Sequence, residues 1–160
     1  MDFVKRYGKV IVLTFVLCML IKPALCFLIL GTLGAYIGLD AVIFLKKITK
    51  TGIDWTGSII EYQSDSDGHK TPTIEFKTIT GDIVKEQPFI YTSTDLSKIR
   101  SFRKSIGQSV SILYDPDDPK KFILKNEAIV NYIGSVFSIL LGLLFVGLGI
   151  SWLLGYIKMD

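Results

Sequence analysis

Two long apolar blocks, one towards each end, constrain this chain more than any other feature. Between Val10 and Leu45 only Lys22 and Asp40 carry formal charge, and from Ala128 to Ile157 nothing does. A helix that crosses the hydrocarbon core needs roughly twenty apolar residues at about 1.5 Å of rise each. Both blocks exceed that length, and a soluble core of this size has no need of such runs. The sequence therefore predicts an integral membrane protein whose first partner is the lipid bilayer.

The first block has internal punctuation. Pro23–Leu45 reads as a complete transmembrane helix, bounded by Lys22 and by Lys46-Lys47. Pro23 suits its first turn, where a backbone N–H has no helical acceptor to lose. Residues 1–22 form a separate basic and apolar segment. Within it Val10–Ile21 reaches only about 18 Å, too little to span alone. Two arrangements are open: one long helix kinked near Pro23, or a hairpin turning at Lys22-Pro23, which would make a third membrane segment. Lys5, Arg6 and Lys9 before an apolar run, with Ala24-Leu25-Cys26 after it, also loosely resemble a signal peptide. Leu25 is too large for the small-residue cleavage pattern, and cutting there would start the mature chain inside an apolar run.

Positive charge near span ends resists translocation. In the hairpin arrangement Lys5, Arg6, Lys9, Lys46, Lys47 and Lys50 share one side, which leans the middle segment towards the cytoplasm. With only two spans the charges nearly balance.

Between the blocks the hydrophobic period changes to two, the mark of half-buried strands. Ile74 and Phe76 alternate with Glu75 and Lys77; Val110, Ile112 and Tyr114 with Ser109, Ser111 and Leu113; Phe122 and Leu124 with Lys121, Ile123 and Lys125. Turn residues separate the runs: Ser64–Gly68, Thr80-Gly81-Asp82, Ile106-Gly107-Gln108 and Asp115–Pro119. Strands are expected near 55–63, 72–79, 83–90, 109–115 and 121–125, the first three as a meander with Gly81 in its tight turn. Residues 94–106 read as a short helix or loop. The fold class is a membrane protein with two or three helical segments flanking a small all-β, barrel- or sandwich-like domain. Its parts are 1–22, 23–45, a soluble β domain at 51–126, and a second transmembrane helix at 128–157.

Small residues recur four apart in the last block, at Gly134, Ser138 and Gly142 and again at Gly147, Ser151 and Gly155; the first offers Gly31 with Ala35 and Gly34 with Gly38. Such faces let membrane helices approach closely. Packing between this chain's own helices is the simpler use, and a homo-oligomer through the same faces is the other.

Chemistry-bearing residues are few. The net charge of +3 is too weak for a nucleic-acid partner. The one basic cluster of the middle segment, Arg100, Arg103 and Lys104, reads as a solvated face. Cys18 and Cys26 both sit in the first apolar block, leaving the β domain neither disulfide nor cysteine-based zinc site. Asp115, Asp117 and Asp118 have the oxygen ligands for a divalent cation but lack the glycine and the bidentate glutamate of a calcium loop. The interleaved prolines favour a structural turn. His69 is the single histidine and reads as a solvated loop residue. Asp40 is costly in mid-bilayer, by roughly 3 kcal/mol, so an interfacial position paired with Lys47 or another basic group is expected. Trp55, Trp152, Tyr132 and Tyr156 fit an interfacial aromatic belt. No residue is assigned a catalytic, cofactor-binding or metal-binding role, and no cofactor is called for.

An apolar helix ending in lysines, a Trp55-Thr56-Gly57 opening, the hairpin of Thr71–Ile79 with Gly81, then Ile106-Gly107-Gln108-Ser109-Val110-Ser111-Ile112-Leu113-Tyr114-Asp115-Pro116-Asp117-Asp118-Pro119 and a second apolar helix make a distinctive order. From about residue 23 onward this resembles a bacterial membrane family catalogued as domain of unknown function DUF3592. The hallmark of that family is a Tyr-Asp-Pro-x-x-Pro stretch before the last transmembrane helix. The resemblance implies this architecture and a multi-pass protein of the bacterial cytoplasmic membrane, and it implies no activity. The expected function is a membrane-anchored, non-enzymatic binding or adaptor module with a protein partner. The alternative is an immunity protein against a membrane-targeting toxin.

Overall fold

The computed structural model describes residues 2–64, 68–91 and 105–156. Their element order is α1 (Asp2–Ile21), α2 (Ala24–Thr51), β1 (Ile53–Ser64), β2 (Lys70–Lys77), β3 (Ile83–Glu86), β4 (Ser109–Tyr114), β5 (Phe122–Leu124), a 3-10 turn (Lys125–Glu127) and α3 (Ala128–Leu153). The chain divides into two compact units: a helical one, residues 1–42 with 133–160, and a β unit, Ile43–Tyr132. Of the expected helix or loop at 94–106, residues 94–104, with the cluster Arg100, Arg103 and Lys104, lie outside the described residues.

In the helical unit, α2 and α3 are each long and apolar enough to cross a membrane. α1 stops where Pro23 removes a donor and restricts the residue before it. The Cys26 thiol donates to the Phe15 carbonyl at 3.6 Å. Eleven residues along one straight helix would stand about 16 Å apart, so the chain doubles back at Lys22-Pro23, and the hairpin is the arrangement found. Ile11 lines an apolar groove with Leu28, Ile29, Leu33 and Tyr36 for the same reason.

α2 and α3 meet backbone to backbone. A Cβ at Gly31 would lie 2.6 Å from the Gly142 carbonyl oxygen, and one at Gly38 would lie 2.7 Å from that of Ser135. Ser138 donates to the Gly34 carbonyl at 3.0 Å, while Phe27 meets Phe145 and Trp152 edge-on. Ser138 and Gly142 of the expected face make this contact, and only its third member departs: Gly134 is exposed, and buried Ser135 faces α2 in its place. A Cβ added at Gly147 or Gly155 would meet nothing within 4 Å, so the second small-residue series takes no part in this contact.

The β unit is a single antiparallel sheet of order β3-β2-β1-β4-β5, curled into a half-barrel in place of a closed barrel or a two-layered sandwich. Its strands fall where the two-residue period placed them, with β3 stopping four residues short of the expected Ile90. Ile59, Ile74, Phe76, Val84, Ile112, Tyr114, Phe122 and Leu124 fill the concave side. Gly57 is needed there, because a Cβ would lie 2.6 Å from the Ile74 side chain. A bulge between Ile59 and Glu61 tightens the curl. The N–H of Phe89 donates to the Phe122 carbonyl at 2.9 Å, drawing the chain after β3 across to β5. On the other face Ile123 and Leu113 pack against Phe44, Leu45 and Ile48 of α2. The compact unit therefore reaches beyond 51–126 to take in the last turns of α2 and the first of α3.

Candidate functional site

The acidic turn is built by its prolines and pinned by lysines. β4 ends at Tyr114 because Pro116 cannot donate to a ladder. The Asp115 N–H donates to the Lys121 carbonyl at 2.9 Å, and that of Lys121 returns to the Asp118 carbonyl at 2.8 Å. Asp115 is buried, and both carboxylate oxygens are engaged: Oδ1 accepts the Asp117 N–H at 3.2 Å and Oδ2 accepts Lys47 Nζ at 2.7 Å. Lys47 also reaches Asp117 at 3.2 Å, and Lys121 pairs with Asp118 at 3.3 Å. Burial pushes the Asp115 carboxyl upward. The hydrogen bonds from Lys47 and the Asp117 N–H, with the charges of Lys47 and Lys121, outweigh it and hold the group below the usual carboxylate range. Each carboxylate of the turn thus meets a lysine and the turn is fastened to α2, and among the described residues no group of three or more His, Cys, Asp or Glu side chains is arranged to hold a metal ion.

The other singled-out residues are scattered. His69 is half-buried at the entry to β2, and Asp40 is half-buried in α2. Of the partners expected for Asp40, Lys47 or another basic group, Lys47 is engaged by Asp115 and Asp117 of the acidic turn. Trp55 on β1 and Tyr132 on α3 are partly exposed, and Tyr156 more so.

Sequence reasoning missed a feature at the β2–β3 turn. Gly81 takes a positive φ of 95°, the left-handed conformation that glycine accepts without strain. Thr78 braces the turn: its N–H donates to the Asp82 carbonyl at 2.9 Å, and its hydroxyl accepts the Asp82 N–H at 3.1 Å. Thr80 donates to the Asp82 carboxylate at 2.8 Å. This rigid polar turn holds out two isoleucines, Ile79 and Ile83, at 64% and 65% exposure. Ile83 opens β3, whose outer edge has no strand partner among the described residues. The available signal was the apolar residue on each side of Thr80-Gly81-Asp82, where a soluble hairpin usually places polar ones.

The model of a domain of unknown function (DUF3592) matches residues 55–128, from Trp55 on β1 through the acidic turn to the start of α3. No curated protein and no solved structure is similar to the chain.

Proposed function

Residues 55–128 match the DUF3592 family, and from that footing we propose that the chain is a membrane-anchored, non-enzymatic binding module of the bacterial cytoplasmic membrane. α2 and α3 cross the bilayer, and the half-barrel recognises a protein partner by strand addition at β3. The observation that carries this reading is the outer edge of β3, which has no strand partner among the described residues, beside exposed Ile79 and Ile83 on a braced turn. An open edge supplies main-chain hydrogen bonds, and flanking apolar side chains supply specificity. Anchoring is supported by the apolar outward faces of the helices, where Leu20, Ile129, Ile133 and Phe137 are all well exposed. A non-enzymatic role is supported by the acidic turn, whose carboxylates are each engaged by lysine.

The test is site-specific photo-crosslinking of the full chain in its native membrane. A photoreactive residue at Ile83 gives one discrete adduct, and one at exposed Glu61 on β1 gives none. Equal labelling at the two positions, or no adduct at Ile83, refutes the edge as the binding surface.

A further inference from the structure

Three lysines end α2, and the helix divides their work. Lys47 points to the acidic turn. Lys46 and Lys50, four residues apart and hence on one face, line a groove of about 460 Å³ with Leu45, Thr49, Ala128, Ile129 and Tyr132. Neither lysine, nor the Tyr132 hydroxyl, has a polar partner among the described residues. Thr49 donates to the Leu45 carbonyl at 2.7 Å. The groove thus offers two cations and a phenolic donor over an apolar floor, and no carboxylate lines it. An anion with an attached apolar chain complements both parts: oxygen acceptors for the lysines and tyrosine, hydrocarbon for Leu45, Ala128 and Ile129.

We propose that this groove is a binding site for one anionic phospholipid, its headgroup phosphate held by Lys46, Lys50 and Tyr132 and its acyl chain laid along Ala128 and Ile129. The inference rests on the reading of α2 and α3 as spans, since it places the groove at the depth of the lipid headgroups. A basic residue near an anionic membrane surface is worth roughly a factor of five in affinity, so the pair is worth about 30-fold.

The experiment uses the full chain purified in nonionic detergent, titrated with phosphatidylglycerol or phosphatidylcholine and read by native mass spectrometry. The parent takes up one phosphatidylglycerol in clear preference to phosphatidylcholine. Lys46→Gln with Lys50→Gln weakens phosphatidylglycerol about 30-fold and leaves phosphatidylcholine unchanged, while Tyr132→Phe weakens the former several-fold. A control pair, Lys77→Gln with Lys120→Gln, removes the same charge elsewhere and binds like the parent. Equal uptake of the two lipids overturns the site. So does full binding by the Lys46/Lys50 variant, or an equal loss in the control. Displacement of the lipid by millimolar inorganic phosphate overturns the lipid as occupant in favour of the free ion. A chain that stays soluble without detergent overturns the anchoring reading and this site with it; a chain that needs detergent yet ignores headgroup charge overturns the site alone.

Discussion

Ile123→Ala is the most informative single change. Ile123 is fully buried, and it lies on the face of β5 that packs against Leu45 and Ile48. The substitution removes three buried carbons, about 2.4 kcal/mol at roughly 0.8 each. The vacated space adds to this, because strands β4 and β5 on one side and a helix on the other allow little collapse; Ile→Ala changes in such sites cost about 2–5 kcal/mol in all. We expect about 3–4 kcal/mol. For a unit of this size that lowers the melting temperature by roughly 12–32 °C. Thermal unfolding of the full chain with Trp152 replaced by phenylalanine, in detergent and followed by Trp55 fluorescence, reads it. Leu45→Ala should cost a comparable amount, and the double variant should fall short of the sum by more than about 0.5 kcal/mol, since contacting residues are coupled. Exposed Ile83→Ala should change stability by less than about 0.5 kcal/mol. A cost for Ile123→Ala as small as that of Ile83→Ala, or strict additivity with Leu45→Ala, would refute the packing of α2 on the sheet.

Three further outcomes are expected. Gly142→Ala should destabilise the α2–α3 contact by about 1–3 kcal/mol, because its Cβ would lie 2.5 Å from the Ala35 nitrogen, whereas Gly147→Ala meets open space; equal melting temperatures for the two variants would contradict the contact. Asp115 has a depressed folded-state pKa, so its contribution is fully present above the unfolded value of about 3.9 and is lost as pH falls through the lower folded value; Asp115→Asn should lose stability at neutral pH and show a shallower acid dependence than the parent, and parallel pH profiles would contradict this. Gln63→Cys, in a chain with Cys18 and Cys26 replaced by alanine, should escape a membrane-impermeant maleimide in intact cells and react after lysis if the β unit faces the cytoplasm; labelling of intact cells places it outside.

β1 and β4 were legible because one face of each is more buried than the other, so the period of two survives in the sequence. β5 was legible for a different reason: Phe122 and Leu124 enter the half-barrel while Ile123 meets a helix, which leaves an apolar triplet between lysines. Pro72 lies within β2, yet β3 pairs only as far as Ile74, so the strand is an edge there and tolerates it. Lys47 was illegible as the partner of Asp115 because the two stand 68 residues apart, and a lysine after an apolar helix already has a topological explanation. That Ser135 and not Gly134 joins Ser138 and Gly142 against α2 was hidden because both positions carry small residues. The exposed isoleucine pair was hidden by ordinary hairpin spacing.

The brevity of β5 has a consequence for how this domain can change length. β1 enters the sheet at Ile53, opposite Tyr114 and, one strand further, Phe122; β5 leaves it at Leu124, aligned through Ile112 with Trp55. Measured along the strands, the chain departs within two residues, about 7 Å, of the level at which it arrived, two strands away, so the incoming and outgoing helices meet the sheet at one end. One residue inserted in β5 would turn Ile123 into the half-barrel and a neighbour out of it. Two would keep the faces but carry the start of α3 about 7 Å along the sheet. Insertions are therefore confined to the segments joining the other strands, and the distance from Phe122 to Ala128 acts as a fixed gauge for any sequence that shares this architecture.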